Sequence, residues 1–241
     1  MNSSVNKQFD HITSSQSIPM VKTYLSGVFM WMFLALSITA ATSWLFASTP
    51  SLMSILYNET GSMSIMGWVV MLAPLGLAFW MSAGINRMSA STMVLIFILF
   101  SILLGASLSF IFLAYTGASI AKTFVITAGM FGTMAVVGYT TKTDLTKFGS
   151  LMMMGLVGII IASVVNMFMQ SSTMDYIISF GGVLIFTGLT AYDVQKLKRI
   201  GSQITEENDT TRKLTIMGAL TLYLDFINLF LFLLRIFGNR K

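Results

Sequence analysis

The sequence predicts an all-α polytopic membrane protein, a bundle of seven transmembrane helices. Three observations predict it: 55% of the 241 residues are hydrophobic, only 10% are charged, and the mean hydropathy is +0.81. Soluble domains carry about 25% charged residues, so this chain has too few charges to cover its surface in water. Uncharged apolar stretches of about 17–25 residues, the length that crosses the hydrocarbon of a bilayer, recur along the chain. The lipid bilayer is therefore its expected surroundings.

Seven apolar stretches follow a polar segment at residues 1–23. Helices satisfy their own backbone hydrogen bonds, as the hydrocarbon requires. The connections are short, so residues 24–241 are expected to form one seven-helix membrane domain behind a polar cytoplasmic tail. The predicted spans are Leu25–Phe46, Ile65–Ala83, Thr92–Tyr115, Thr123–Thr140, Phe148–Met169, Tyr176–Gln195 and Leu214–Leu234.

The residue types that are absent or rare exclude several classes of site. The chain has no cysteine, which excludes disulfides, a thiolate zinc centre and a thiol nucleophile. Its one histidine, His11, lies in the polar tail, so a histidine-based triad or soft-metal centre has almost nothing to be built from. We expect no enzyme activity and no resident cofactor. The excess of 14 Lys and Arg over 9 Asp and Glu indicates membrane topology rather than nucleic-acid binding.

Cations lie on alternate connections, which predicts the orientation. Lys and Arg favour the cytoplasmic side, so the N-terminus is expected there and, after seven spans, the C-terminus outside. Arg235, Arg240 and Lys241 near the C-terminus disagree, and a re-entrant seventh segment would remove the conflict. The cations expected in the cytoplasm are Lys7, Lys22, Arg87, Lys142, Lys147, Lys196, Lys198, Arg199, Arg212 and Lys213.

Two aspartates are the only charged residues inside the predicted spans, Asp193 in the sixth and Asp225 in the seventh. A charge at the membrane centre costs roughly 2.5–3.5 kcal/mol on the insertion scale, and such residues usually serve an ion path or a proton relay. A structural clamp between helices is the alternative. Because the two spans are antiparallel neighbours, distances from the loop between them place the aspartates within about 8 Å in depth. We expect the two carboxylates to meet.

Polar side chains share helix faces with the aspartates. Thr221, Asp225 and Asn228 follow i, i+4, i+7 spacing, and Thr190 lies one turn before Asp193, which predicts a supporting polar seam. Two adjacent carboxylates in a low-dielectric site cannot both ionise without a large free-energy cost, so the pair is expected to hold a proton and titrate as a unit. Carboxylates also bind Ca²⁺, but two without a full oxygen cage predict only weak, transient binding.

Long segments of the chain resemble the Bax inhibitor-1 family. The last two spans contain the stretches GLTAYDVQKLK and GALTLYLDFINLFLFLLRIFGNR, which are similar to the two C-terminal signatures of that family. The stretch FVITAGMFGTMAVVGYTTKTD and the helix after it are similar to the bacterial branch. These segments are Gly188–Lys198, Gly218–Arg240, Phe124–Asp144 and Leu145–Asn166.

This resemblance implies a fold and a function. The fold is a seven-helix bundle with the last helix central, in a bacterial inner (plasma) membrane. The function is a pH-sensitive Ca²⁺ leak channel, whose di-aspartyl sensor would fall on Asp193 and Asp225. An arginine on the second helix would lock one aspartate in the closed state, and Arg87 is the nearest candidate. As an alternative, Arg87 serves as a cytoplasmic anchor.

Three functions are open at this point. The first is the proton-gated Ca²⁺ leak. The second is a regulatory interaction protein that modulates a membrane-bound protease, with the tail at residues 1–23 as a handle. The third is an intramembrane aspartyl hydrolase, which is disfavoured because Asp193 lies in AYDV and Asp225 in YLDF, neither of which resembles the GxGD motif.

Overall fold

The computed structural model describes the backbone of residues 2–58 and 62–241, and the side chains of residues 20–58 and 62–241. Within these residues the chain is helical and contains no β-strand. Most of the predicted tail, with Lys7 and His11, lies outside the described side chains. The helices are α1 (Asn2–Ser48), α2 (Pro50–Leu56), α3 (Ile65–Gly84), α4 (Ala90–Leu108), α5 (Phe110–Ala114), α6 (Gly117–Thr140), α7 (Thr146–Met169), α8 (Ser172–Gly201) and α9 (Asp209–Phe237).

Among the described residues, seven helical segments are long and apolar enough to cross a membrane, which confirms the predicted number. The third consists of α4 and α5 in succession, and the first is the part of α1 from Met20 onward. They are Met20–Ser48, Ile65–Gly84, Ala90–Ala114, Gly117–Thr140, Thr146–Met169, Ser172–Gly201 and Asp209–Phe237.

The last two spans are longer than the sequence predicts. Ser171 and Asn208 cap the N-termini of α8 and α9, because their side-chain oxygens accept hydrogen bonds from backbone N–H groups of the first turn. The polar turns that hydropathy assigned to loops therefore continue as helix. The connection between α8 and α9 is also shorter than predicted, at residues 202–208 rather than 200–213.

The seventh segment, α9, is one continuous helix. Its 29 residues extend about 43 Å at 1.5 Å per residue, more than the roughly 30 Å hydrocarbon core, which favours a complete crossing over a re-entrant segment. It packs against α8, α1, α6, α4 and α3. In its apolar stretch 67% of residues are buried inside the protein, against 6% in α7. The ring of six helices around a central α9, which the resemblance implies, stays a prediction.

Two of the three C-terminal cations bind to the protein itself. Arg235 Nη1 lies 3.2 Å from Oδ1 of Asp175, at the start of α8. Lys241 Nζ donates a hydrogen bond of 2.8 Å to the carbonyl oxygen of Phe112 in α5. These contacts lie at the end of the bundle away from the α8–α9 connection. They give Arg235 and Lys241 partners on that side of the bundle.

Two glycines bring α6 and α7 close to α8 just before Asp193. A Cβ atom at Gly138 of α6 would collide with the backbone of Ala191, and one at Gly149 of α7 would collide with the ring of Tyr192. Only glycine permits backbones to approach so closely. These contacts hold the C-terminal half of α8 between α6 and α7 on one side and α9 on another.

Substitution of Gly138 by alanine is expected to destabilise the protein. The added methyl group meets backbone atoms of α8, which cannot move aside as a flexible side chain could, and such overpacking costs about 1–3 kcal/mol. Gly132→Ala on the same helix is the matched control, because its Cβ would meet no atom within 4 Å. Thermal unfolding in detergent should show a lower Tm for Gly138→Ala and an unchanged or higher Tm for Gly132→Ala. Equal Tm values for the two variants would contradict this packing.

Candidate functional site

The structure brings Asp193 of α8 and Asp225 of α9 together. Both are buried, with 7% and 5% of their surfaces exposed. Their carboxyl groups lie close enough to form a hydrogen bond once one of them carries a proton. The expectation that the two side chains meet across the α8–α9 contact is therefore confirmed, while their role as a sensor stays a prediction.

One oxygen of the pair has no hydrogen-bond partner. In the described part of the chain, Oδ2 of Asp225 is the one buried side-chain nitrogen or oxygen atom without a hydrogen-bond partner. An unsatisfied buried polar atom is costly, and an unsatisfied anionic one more so. A proton shared between the carboxyl groups, or a cation, would satisfy this atom. The pair is thus chemically suited to hold either one.

The polar seam does not form hydrogen bonds to the pair. The hydroxyl groups of Thr190 and Thr221 donate to the carbonyl oxygens four residues earlier on their own helices, at 2.8 and 3.1 Å. The amide of Asn228 does the same at 2.8 Å. In apolar surroundings the carbonyl oxygen one turn earlier is the nearest acceptor for such donors. The three residues are on the predicted helices, but their donors are used within those helices.

The structure does not bring Arg87 to the aspartates. Arg87 is exposed in the turn after α3, and no ion pair of its guanidinium is seen among the described residues. The cation that acts electrostatically on Asp193 is Lys196, one turn further along α8. In the sequence, Lys196 is one of the cations expected on the cytoplasmic side. Its i+3 spacing from Asp193 was the signal that could have identified it.

The pair does not amount to a resident metal site. Residues 20–58 and 62–241 contain no group of three or more His, Asp or Glu side chains that could hold a metal ion. Ca²⁺ takes six to eight oxygen ligands, so Asp193 and Asp225 would supply only a small part of its shell. Carbonyl oxygens and water would have to complete the shell of any Ca²⁺ that binds there.

Comparison with known proteins identifies the family. The profile described as "Inhibitor of apoptosis-promoting Bax1" matches residues 21–241, including all of α8 and α9. The chain belongs to the Bax inhibitor-1 family. It is 48% identical over 222 residues to the inner membrane protein YbhL of Escherichia coli K12, covering 92% of this chain and 93% of that one.

Relatives of this Bax inhibitor-1 protein occur in distant bacteria. The uncharacterized protein RP147 of Rickettsia prowazekii is 42% identical over 221 residues, covering 92% of this chain and 91% of its own. An uncharacterized membrane protein of Streptococcus pyogenes serotype M6 is 34% identical over 232 residues, covering 95% and 98%. The family assignment made from the signatures in α8 and α9 is confirmed over nearly the whole chain.

Replacement of Asp193 by asparagine is expected to leave the protein as stable at pH 7.5 or to stabilise it. The amide removes one like charge and offers an N–H donor to the unpartnered oxygen of Asp225. Asp193→Ala removes the charge without supplying a donor, and should lower the stability by about 1–3 kcal/mol relative to the asparagine variant. Thermal unfolding in detergent measures both. An equal loss in the two variants would show that the carboxyl groups do not interact.

Proposed function

We propose that this Bax inhibitor-1 protein is a proton-gated cation leak channel of the bacterial inner membrane, with Ca²⁺ as its cargo. The observation that carries the proposal is the buried contact between Asp193 and Asp225, in which one carboxylate oxygen has no partner. Ionisable residues inside membrane spans usually mark ion or proton pathways. The name of the relative YbhL, an inner membrane protein, supports the location.

The contact between the aspartates suggests how a proton controls the path. While the pair shares a proton, an O–H···O hydrogen bond joins α8 to α9, and burial keeps both groups from water. Loss of that proton places two like charges on facing helices, which repel each other and become free to bind a cation. No ion pair joins Arg87 to either aspartate among the described residues, so we take the repulsion between the two carboxylates to set the direction of the response. Flux is therefore expected to rise with pH.

The proposed orientation places the pair in the cytoplasmic half of the membrane. Asp193 lies on the last turns of α8, next to Lys196, Lys198 and Arg199, cations that favour the cytoplasmic side. Arg235 and Lys241 have partners at the other end of the bundle, the carboxylate of Asp175 and the carbonyl oxygen of Phe112. The N-terminus is then cytoplasmic and the C-terminus outside.

Reporter fusions test this orientation. A reporter active only outside the cytoplasm should be active after Lys241 and inactive after Ser202, in the α8–α9 connection. A reporter active only in the cytoplasm should give the opposite pattern at the same two positions. Cytoplasmic activity at Lys241 would contradict the orientation.

Flux through proteoliposomes tests the function. Purified protein should carry Ca²⁺ down its gradient, with a rate that changes between about pH 5 and 8, a range in which no cysteine or membrane-embedded histidine can titrate in its place. Asp193→Asn and Asp225→Asn should each flatten that response, because the pair can no longer exchange its shared proton. Glu206→Gln is the matched control: it removes an exposed carboxylate of the α8–α9 connection, outside the pair, and should keep the wild-type profile.

Two outcomes would overturn the proposal. If both single asparagine variants keep the wild-type pH profile, the pair is not the sensor. If wild-type flux is no higher than in liposomes without protein, the chain is not a leak channel. Regulation of a membrane-bound protease would then be the remaining function, tested by degradation assays with the tail at residues 1–23 removed.

A further inference from the structure

A buried glutamine ties the cytoplasmic end of α8 to the connection between α6 and α7. Only 7% of the surface of Gln195 is exposed. Its Nε2 donates to the carbonyl oxygen of Thr143 at 2.8 Å, and its Oε1 accepts from the backbone N–H of Leu145 at 2.9 Å. The same oxygen accepts from Nη2 of Arg199 at 2.9 Å. One side chain thus binds the α6–α7 connection through both a donor and an acceptor.

Arg199 extends this contact to the start of α7. Its Nη2 donates to Oδ1 of Asp144 at 3.1 Å, and its Nη1 donates to Oγ1 of Thr146 at 3.1 Å. Hydrogen bonds from the hydroxyl and backbone of Thr146, and the nearby guanidinium of Arg199, hold the pKa of Asp144 below its ordinary value. Asp144 therefore stays charged across the physiological pH range. We call Gln195, Arg199 and the connection 141–145 the Gln195 clamp.

A third side chain binds α6 from the same end of α8. Lys198 Nζ donates to the carbonyl oxygen of Tyr139 at 2.7 Å and lies 4.9 Å from the centre of its ring. Residues 195, 198 and 199 are one turn apart on a helix and share one face. These side chains attach that face of α8 to α6 and to the α6–α7 connection. Neither aspartate of the pair contacts them directly.

The Gln195 clamp and the aspartate pair lie on opposite sides of α8. Asp193 precedes Gln195 by two residues, a rotation of about 200° around a helix of 3.6 residues per turn. The clamp holds one side of α8, and the opposite side, which carries Asp193, is directed at α9. The close contact between Gly138 and Ala191 restrains the same stretch of α8 from the side of α6. Rotation of α8 would thus have to break the clamp before it could separate the carboxyl groups.

We propose that Gln195 is a positioning residue, which holds α8 in the rotation that directs Asp193 at Asp225 and thereby sets the pH at which the pair responds. This inference rests on the proposed function. The charged groups that act on Asp193 among the described residues are Asp225 of α9 and Lys196 of α8, and Asp193 is the one that acts on Asp225. No charged group of α6 or α7 in the described part of the chain acts on either, so the clamp influences the pair through geometry.

Gln195→Met tests the inference. Methionine keeps the length and the neutral charge of the side chain but removes all three hydrogen bonds. The proton equilibrium of the pair can be followed by infrared titration of its carboxyl band in the purified full-length protein, and the pH profile of Ca²⁺ flux can be recorded on the same preparation. Looser contact between two carboxyl groups changes their mutual interaction, so the titration midpoint should shift by about 0.5 pH unit or more.

Two further variants keep the test interpretable. Arg199→Lys retains the charge but removes the planar fork that joins Gln195 to Asp144, and because its side chain is half exposed the fold should survive. It should shift the midpoint in the same direction as Gln195→Met. Gln203→Met, at an exposed position in the α8–α9 connection, is the matched control and should leave the midpoint unchanged.

The two measurements separate this inference from the proposed function. A shifted infrared midpoint in Gln195→Met and Arg199→Lys, with Gln203→Met unchanged, supports the positioning role even if the protein carries no Ca²⁺. A midpoint equal to that of the wild type in either folded clamp variant overturns it and leaves Gln195 with a structural role only. A wild-type carboxyl band that does not titrate between about pH 5 and 9 overturns both proposals.

Discussion

The structure depends on the burial of two carboxyl groups side by side between α8 and α9. An ionised carboxylate in hydrocarbon costs free energy that the remaining interactions of a helix pair hardly offset, and two adjacent ones repel each other as well. Asp193 and Asp225 nevertheless lie in contact within the two most buried spans. The least costly state of such a pair shares a proton, which turns a repulsive contact into a hydrogen bond between helices.

The surrounding helices are arranged so that this contact has a defined geometry. Glycine-mediated approaches hold α8 against α6 and α7, and the Gln195 clamp fixes its C-terminal end. At the opposite end of the bundle, Arg235 joins α9 to the start of α8. Helix α8 is therefore restrained at both of its ends, on either side of its contact with Asp225. In the proposed function, a change of protonation would act on this local contact without unfolding the bundle.

Much of this organisation could be predicted from the sequence, and the exceptions have physical reasons. Span number and the aspartate pair followed from hydropathy and from the rarity of charge in the spans. Helix ends did not, because capping by Ser171 and Asn208 extends helices through polar residues that hydropathy assigns to loops. The sequence could not show whether Arg87 reaches an aspartate, because the order of the helices does not determine the direction of a side chain. Gln195 gave no sequence signal, since a polar residue at a membrane interface is ordinary until its partners are known.

The central claim is that the two carboxyl groups act as one unit, and a double-variant cycle tests it most directly. The pH response of Ca²⁺ flux would be compared among the wild type, Asp193→Asn, Asp225→Asn and the variant that carries both changes. If the aspartates act as a unit, each single change removes nearly the whole response and the second change removes nothing further. If each single variant retains about half of the response and the losses add up in the double variant, the aspartates titrate independently and the claim is wrong.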